Sequence, residues 1–459
     1  MRERLMALEE AATPIRVAII GCGWFGSGVV SQIRRAPGMD ISVVCDVDGR
    51  RAIQVLGQAG YDTGGLVTTS RVAEANDSIR RGAPVATENV DVAIQADVDV
   101  VVEVTGNPDA GARHAFEAIM AGKHVVNVTV EADVLVGPLL RQMADRAGLI
   151  YSLVYGDQPG NIEELYDWAV SVGFEVVAAG KGTKYLPEYR KGAPDDASLR
   201  YGYPPDKVPK SILNPEKYNS FQDGTASAIE MCAVANMTGL VPDVPGMHTP
   251  PASVEEIPSL LIPAEDGGIL SRKGVVEVVS CLREDGSDIP NSLPWGVYVV
   301  ITSDSPYLLS CLRDKGVAMD PSGTYGLMYR PYHLVGMEAP ISIAKAFLYG
   351  EPTGAPKGMV AEVAAAAKQA LEPGDVLGGQ GGFTVYGALV EAPYARQRNL
   401  LPIGLCAGAR VTRRVAEDQM LSYDDVEMLA GGFAHHLRRL QDQVAGFHDT
   451  GETGSPDRS

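Results

Sequence analysis

Three glycines in Gly21-Cys22-Gly23-Trp24-Phe25-Gly26 are spaced as G-x-G-x-x-G. That spacing suits the cradling of a dinucleotide pyrophosphate, provided that a strand precedes it and a helix follows. Gly21 permits a tight turn, Gly23 lets a phosphate approach the backbone, and Gly26 lets helix and strand pack closely. Trp24 and Phe25 then open a helix whose free N–H groups and positive dipole end face the anion. Asp46 closes the next apolar run and can accept hydrogen bonds from a ribose. Its charge favours NAD, whereas Arg50 and Arg51 just beyond would pair with the 2′-phosphate of NADP, so the sequence leaves NAD or NADP open. Thr105, Gly106 and Asn107 follow a third apolar run, where the nicotinamide half would lie, and Asn127 and Glu131 are candidates for the same wall. As ordinary loop and cap residues, these five also have a plainer reading.

Hydride transfer to or from a carbonyl needs a proton donor or acceptor beside its oxygen. Lys181 and Lys184 are candidates, because burial can lower a lysine's pKa. Arg330 and His333 suit the anchoring of a polar or phosphorylated substrate. Asp223 and Glu230 are about two helical turns apart, so a helix beginning near Asp223 would turn both carboxylates into one pocket, to bind substrate hydroxyls or a divalent cation. Each has a structural alternative: surface charge for the lysines, a helix cap for Asp223, a solvent-facing position for Glu230, an ion pair for Arg330 and a packed ring for His333. His435, His436 and His448 have poor spacing for a metal site, and no metal ligand set is assigned.

These residues need elements to hold them. A helix is expected at 1–10. Apolar runs at 16–20, 41–45, 98–102 and 124–128 read as buried parallel strands, with helices at 25–35 and 110–121 between them. This alternation predicts an α/β fold with a dinucleotide-binding Rossmann domain over 14–155. Strands at 176–179, 275–281 and 295–302, helices at 226–237 and 340–349, a long loop at 184–215 and an irregular stretch at 330–338 suggest an α+β catalytic and dimerisation domain over 156–355. The Pro/Gly-rich stretch 352–358 marks a boundary. An alanine-rich helix at 360–371 and short β-like segments then make a small β-rich domain over 356–440, and the polar tail 450–459 is expected to be disordered.

The chain has 459 residues and a formal net charge of -19, which argues against nucleic acid or an anionic membrane as the main partner. Its six cysteines are scattered, as in a reducing cytoplasm, and no apolar run is long enough to span a membrane. A small-molecule substrate is the expected partner.

Several motifs are familiar. Residues 21–26, Val102-Glu103-Val104-Thr105-Gly106 and Gly122-Lys123-His124-Val125-Val126 resemble the N-terminal domain of homoserine dehydrogenases. Phe221-Gln222-Asp223-Gly224-Thr225, Glu230, Ala235-Asn236, Tyr329-Arg330-Pro331-Tyr332-His333-Leu334 and Gly381-Gly382-Phe383-Thr384-Val385-Tyr386-Gly387 are similar to a branch with an appended SAF domain. That branch includes deoxyxylulose-phosphate reductoisomerase-like enzymes. The likeness covers roughly 15–430, and segments 371–377 and 399–405 carry the SAF part. It implies an NAD(P)-dependent dehydrogenase or reductase acting on a CH–OH or C=O group of a small polyhydroxylated or phosphorylated compound. A metal-dependent reductoisomerase and a non-catalytic NAD(P)-sensing or assembly protein are the alternatives. It also implies a homo-oligomer, a dimer or higher. The family pairs an Asp with a Lys for catalysis, and Gly180-Lys181-Gly182-Thr183-Lys184-Tyr185 resembles the neighbourhood of that pair.

Overall fold

The computed structural model describes residues 1–200, 214–428 and 431–444. The expected tail 450–459, His448 and part of 184–215 lie outside them. After a short helix, Arg2–Glu10, come β1 (Ile15–Ile20), β2 (Met39–Cys45), β3 (Val67–Thr68), β4 (Val85–Thr87), β5 (Val100–Glu103), β6 (His124–Asn127) and β7 (Tyr151–Leu153). They form one parallel sheet in the order β3-β4-β2-β1-β5-β6-β7. Helices cover both faces, which is why β1, β2 and β5 are almost wholly apolar and buried. Strand order reverses between β1 and β5, so the carboxyl ends of these two strands frame a crevice.

A second, mixed sheet follows: β8 (Glu175–Thr183), β9 (Val241–Pro242), β10 (Val275–Ser280), β11 (Val297–Thr302), β12 (Ala318–Met319) and β13 (Gly326–Arg330), in the order β12-β13-β11-β8-β10-β9. β8 is central, parallel to β10 and antiparallel to β11. The helices Gln158–Ser171 and Thr225–Thr238 pack on this sheet. The second helix is apolar almost all round and buried to match, as a core helix should be.

Two expectations are corrected. The alanine-rich segment at 360–371 is a strand, β14 (Ala361–Ala367), paired antiparallel with β15 (Val385–Glu391). Alanine's helical preference is worth only tenths of a kcal/mol per residue over most others, and tertiary packing overrides it. Every residue of β14 is buried, and small side chains let Ala365 bond Leu401 and Leu421 on its free edge. Nor is 184–215 all loop, since it contains a short 3-10 helix, Pro187–Lys191, and the helix Pro194–Arg200, each opened by a proline at its first position.

The last helix, Phe433–Val444, returns to the first sheet and repairs a break there. Pro138 interrupts the helix Val130–Arg146. Leu139 N donates to Gln441 Oε1 and Gln441 Nε2 donates to Leu135 O, both at 3.0 Å, so one buried carboxamide bridges a donor and an acceptor that an unbroken helix would join directly. Gln441→Ala leaves both groups unpaired and should cost about 1–3 kcal/mol. A lowered thermal midpoint with unchanged NAD(H) affinity is the expected result. An unchanged midpoint would contradict this role.

Candidate active site

The glycine turn sits where β1 meets its helix. Gly21 has φ +111, and a side chain there would lie 2.7 Å from the Val104 carbonyl oxygen. A Cβ on Gly26 would lie 2.1 Å from the Gly21 carbonyl oxygen. Gly23 differs: its Cβ would meet nothing within 4 Å, and it caps the helix Trp24–Ile33 without a side-chain hydrogen bond. The open space and uncapped N–H groups fit a pyrophosphate. Asp46, 9% exposed, accepts from Cys22 N at 2.7 Å and Asp48 N at 3.0 Å, which ties its carboxylate to the turn. Arg50 is turned onto Asp48, with its side chain 90% exposed. Trp24 is exposed beside the turn, whereas Phe25 is half-buried under it.

The remaining cofactor candidates divide. Thr105, Gly106 and Asn107 are exposed at the end of β5, and Asn107 also caps the helix Pro108–Met120. Asn127 is a correction. It is fully buried, and its amide is consumed by Thr129 and the Tyr151 hydroxyl, so it shapes the turn and offers a ligand nothing. Glu131 is buried as well and pairs with Lys217.

The second half of the site is built around Lys181. Strand alternation turns this residue of β8 toward the helices, where it is 5% exposed. Its ammonium donates to Gln158 Oε1 at 2.8 Å and pairs with Glu230 on the helix Thr225–Thr238. Next to it lies Asp157, which follows β7 and accepts from Gln158 N at the start of a helix. Burial first and the Glu230 carboxylate second, against the pull of His333 and Lys181, push the Asp157 carboxyl up to about 6. The Lys217 ammonium, with burial opposing and Glu131, Glu230 and Asp157 prevailing, is held above its usual range. His333 holds Trp295 O through Nδ1 at 2.8 Å, which leaves Nε2 free to act.

This half is fastened to the glycine turn. The loop bearing His333 crosses the helix Trp24–Ile33 where Gly28 and Gly336 face each other: a Cβ on Gly28 would lie 3.6 Å from Gly336 Cα. A Cβ on Gly156 would lie 2.9 Å from the Leu334 carbonyl oxygen, so the Asp157 turn rests on the same loop.

Three expected site residues lie apart or are otherwise engaged. Lys184 lies just past the end of β8 and makes an exposed pair with Asp288 at 2.6 Å. Asp223 does not share a pocket with Glu230. It caps Thr225 N and pairs with the buried Lys368 at 2.8 Å, fixing the β14–β15 unit to the helix. Arg330 is close to the cluster but is bound to Glu338 at 2.7 Å and to the Tyr155 hydroxyl at 3.1 Å. Sequence reasoning missed Asp157, Gln158 and Lys217. The available signal was Gly156-Asp157-Gln158-Pro159, a helix start directly after a buried strand. Among the described residues, no three His, Cys, Asp or Glu are placed to hold a metal ion, and no helix is long and apolar enough to cross a membrane.

Residues 21–151 match the NAD binding domain of homoserine dehydrogenase, and residues 156–339 match the catalytic domain of oxidoreductase DRL. No curated protein matches. Among solved structures, the chain is similar to UDP-N-acetylglucosamine 3-dehydrogenase GnnA from Acidithiobacillus ferrooxidans (13% identity, TM-score 0.36, 74% of this chain and 91% of that one). It is also similar to a DOX-P reductoisomerase in complex with magnesium (17% identity, TM-score 0.31, 48% and 57%).

Because Gly23 has open space, Gly23→Val should fold with an unchanged melting curve yet lose NAD(H) affinity by at least about tenfold, or 1.4 kcal/mol. Titration of the folded variant checks this; wild-type affinity would mean that the phosphates bind elsewhere.

Proposed function

We propose that this NAD(P)-dependent oxidoreductase passes a hydride between the nicotinamide and a small hydroxylated carbonyl or alcohol held at Lys181 and Asp157. The observation that carries this reading is the buried Lys181–Glu230–Gln158 group beside Asp157, reached from the carboxyl end of β7. A bound nicotinamide supplies the hydride acceptor or donor. The protein's own residues do the rest. Gln158 and Glu230 use two of the three N–H donors of Lys181, and the third is available to the substrate oxygen. A fixed positive charge there stabilises the alkoxide that develops in either direction. Asp157, raised toward neutrality, takes or returns the proton. Glu230 holds Lys181 and so positions it. His333, held through Nδ1, favours a polyhydroxylated substrate, phosphorylated or not.

For the cofactor, Asp46 anchored by Cys22 N and Asp48 N favours NAD, and Arg50 is paired with Asp48. A homo-oligomer remains part of the proposal by resemblance alone. The substrate test is a screen of sugar acids, polyols and their phosphates with both cofactors, followed by NAD(P)H absorbance. Turnover of one of them, faster with NAD, is expected; a protein that binds NAD(H) tightly but turns over none would favour a sensing role.

The pH dependence has a definite sign. Alcohol oxidation needs Asp157 ionised, so kcat/KM should fall as pH drops through about 6, and carbonyl reduction should instead fall as pH rises through it. Asp157→Asn should remove that limb and lower kcat/KM by at least about tenfold while leaving NAD(H) affinity in place. An unaltered pH profile in the variant would assign the proton to another group.

A further inference from the structure

At the seam between the second sheet and the β14–β15 hairpin, a cavity of about 300 Å3 opens over the first turn of the helix Thr225–Thr238. None of Asp157, Gln158, Lys181, Lys217, Glu230 or His333 lines it. Periodicity explains the separation. Thr183 is two residues beyond Lys181 on the same face of β8, and Ser227 is one turn before Glu230; both reach the cavity. The Lys181–Glu230 contact is thus the next rung of the same strand–helix interface, on the catalytic side.

The wall has its own chemistry. Arg190 is half-buried there, donates Nε to the Tyr185 hydroxyl at 3.1 Å and lies 5.2 Å from the centroid of the Tyr386 ring. Among the described residues it has no carboxylate partner. Ser227 is 2% exposed, lines the cavity, and its hydroxyl has no hydrogen-bond partner among the described residues. Both acids on the wall are already engaged: Asp223 by Lys368 at 2.8 Å, and Asp418 by Lys191 at 3.2 Å. Three wall residues that are not glycine, Met247, Thr249 and Asp418, hold left-handed backbone at φ 64, 50 and 60. Such strain collects where a ligand is gripped, and for β-branched Thr249 it is unusual. A guanidinium without a counter-ion, an unpaired buried hydroxyl and the start of a helix converge on the recognition of an oxyanion.

We propose that this seam cavity is a second ligand site, separate from the hydride-transfer site, that takes a small carboxylate or phosphate anion. It gives the C-terminal β unit a function beyond packing, since Tyr386 and Asp418 come from that unit.

The test is calorimetric titration of the full chain, saturated with NADH so that the glycine turn is filled. Inorganic phosphate and lactate are the two probes. At least one should bind with one-to-one stoichiometry, and which one binds identifies the anion class. Arg190→Gln should weaken that binding by at least about tenfold, as expected for loss of a charged hydrogen-bonding partner. Ser227→Ala, which only removes a hydroxyl from the wall, should weaken it by a few-fold and decides the matter if Arg190→Gln does not fold. Absence of binding by both probes, or binding that both folded variants retain in full, overturns the proposal. The readout is binding, so its failure leaves the hydride-transfer reading untouched.

Discussion

A lysine and a glutamate withdrawn from water must find each other, and the site is arranged around that necessity at Lys181 and Glu230. Losing one partner of a buried pair leaves an uncompensated charge, a cost of about 3–5 kcal/mol. The elements that meet there are therefore not free to drift: the central strand of the second sheet, the buried helix Thr225–Thr238 and, through Gln158, the helix that follows the last strand of the first sheet. One ammonium ion thus joins two sheets. In the proposed mechanism the same constraint preorganises the chemistry, because a donor held on two sides before substrate arrives needs no reorganisation when charge develops.

Close backbone approach provides the second fastening. Gly336 has φ +76, and a side chain on it would lie 2.9 Å from the Phe25 carbonyl oxygen, in the first turn of the helix that follows the glycine motif. The loop carrying His333 is thereby pressed against the helix Trp24–Ile33, which is proposed to receive the phosphates. The cofactor end and the substrate end of the site are parts of one packed unit, and the distance between them is set by backbone contacts rather than by long side chains.

What was legible in the sequence follows from what is local. The parallel strands and the glycine turn announce themselves by apolar runs and by spacing, and Lys181 and Glu230 stood out by residue type. The start of the strand that carries Lys181 was legible too, at 176–179. Partners distant in sequence were not. Nothing near Asp223 reveals Lys368, and nothing near Asn127 reveals the Tyr151 hydroxyl that consumes it. Asp157 was hidden for another reason, since an aspartate at a helix start is an ordinary cap, and its acidity is weakened only by burial under other elements and by the Glu230 carboxylate that they bring near it. β14 was misread because alanine's intrinsic preference and its usefulness in a crowded strand point to opposite secondary structures.

The central claim is that the nicotinamide meets its substrate at Asp157 and Lys181. An experimental structure of the chain with bound NADH tests it most directly. The account predicts the pyrophosphate at Gly23, the ribose at Asp46, and the nicotinamide C4 facing Asp157 and Lys181 with room for one small molecule between them. A nicotinamide ring more than about 10 Å from both residues would contradict it, because proton transfer requires approach to about 3 Å or a single intervening water.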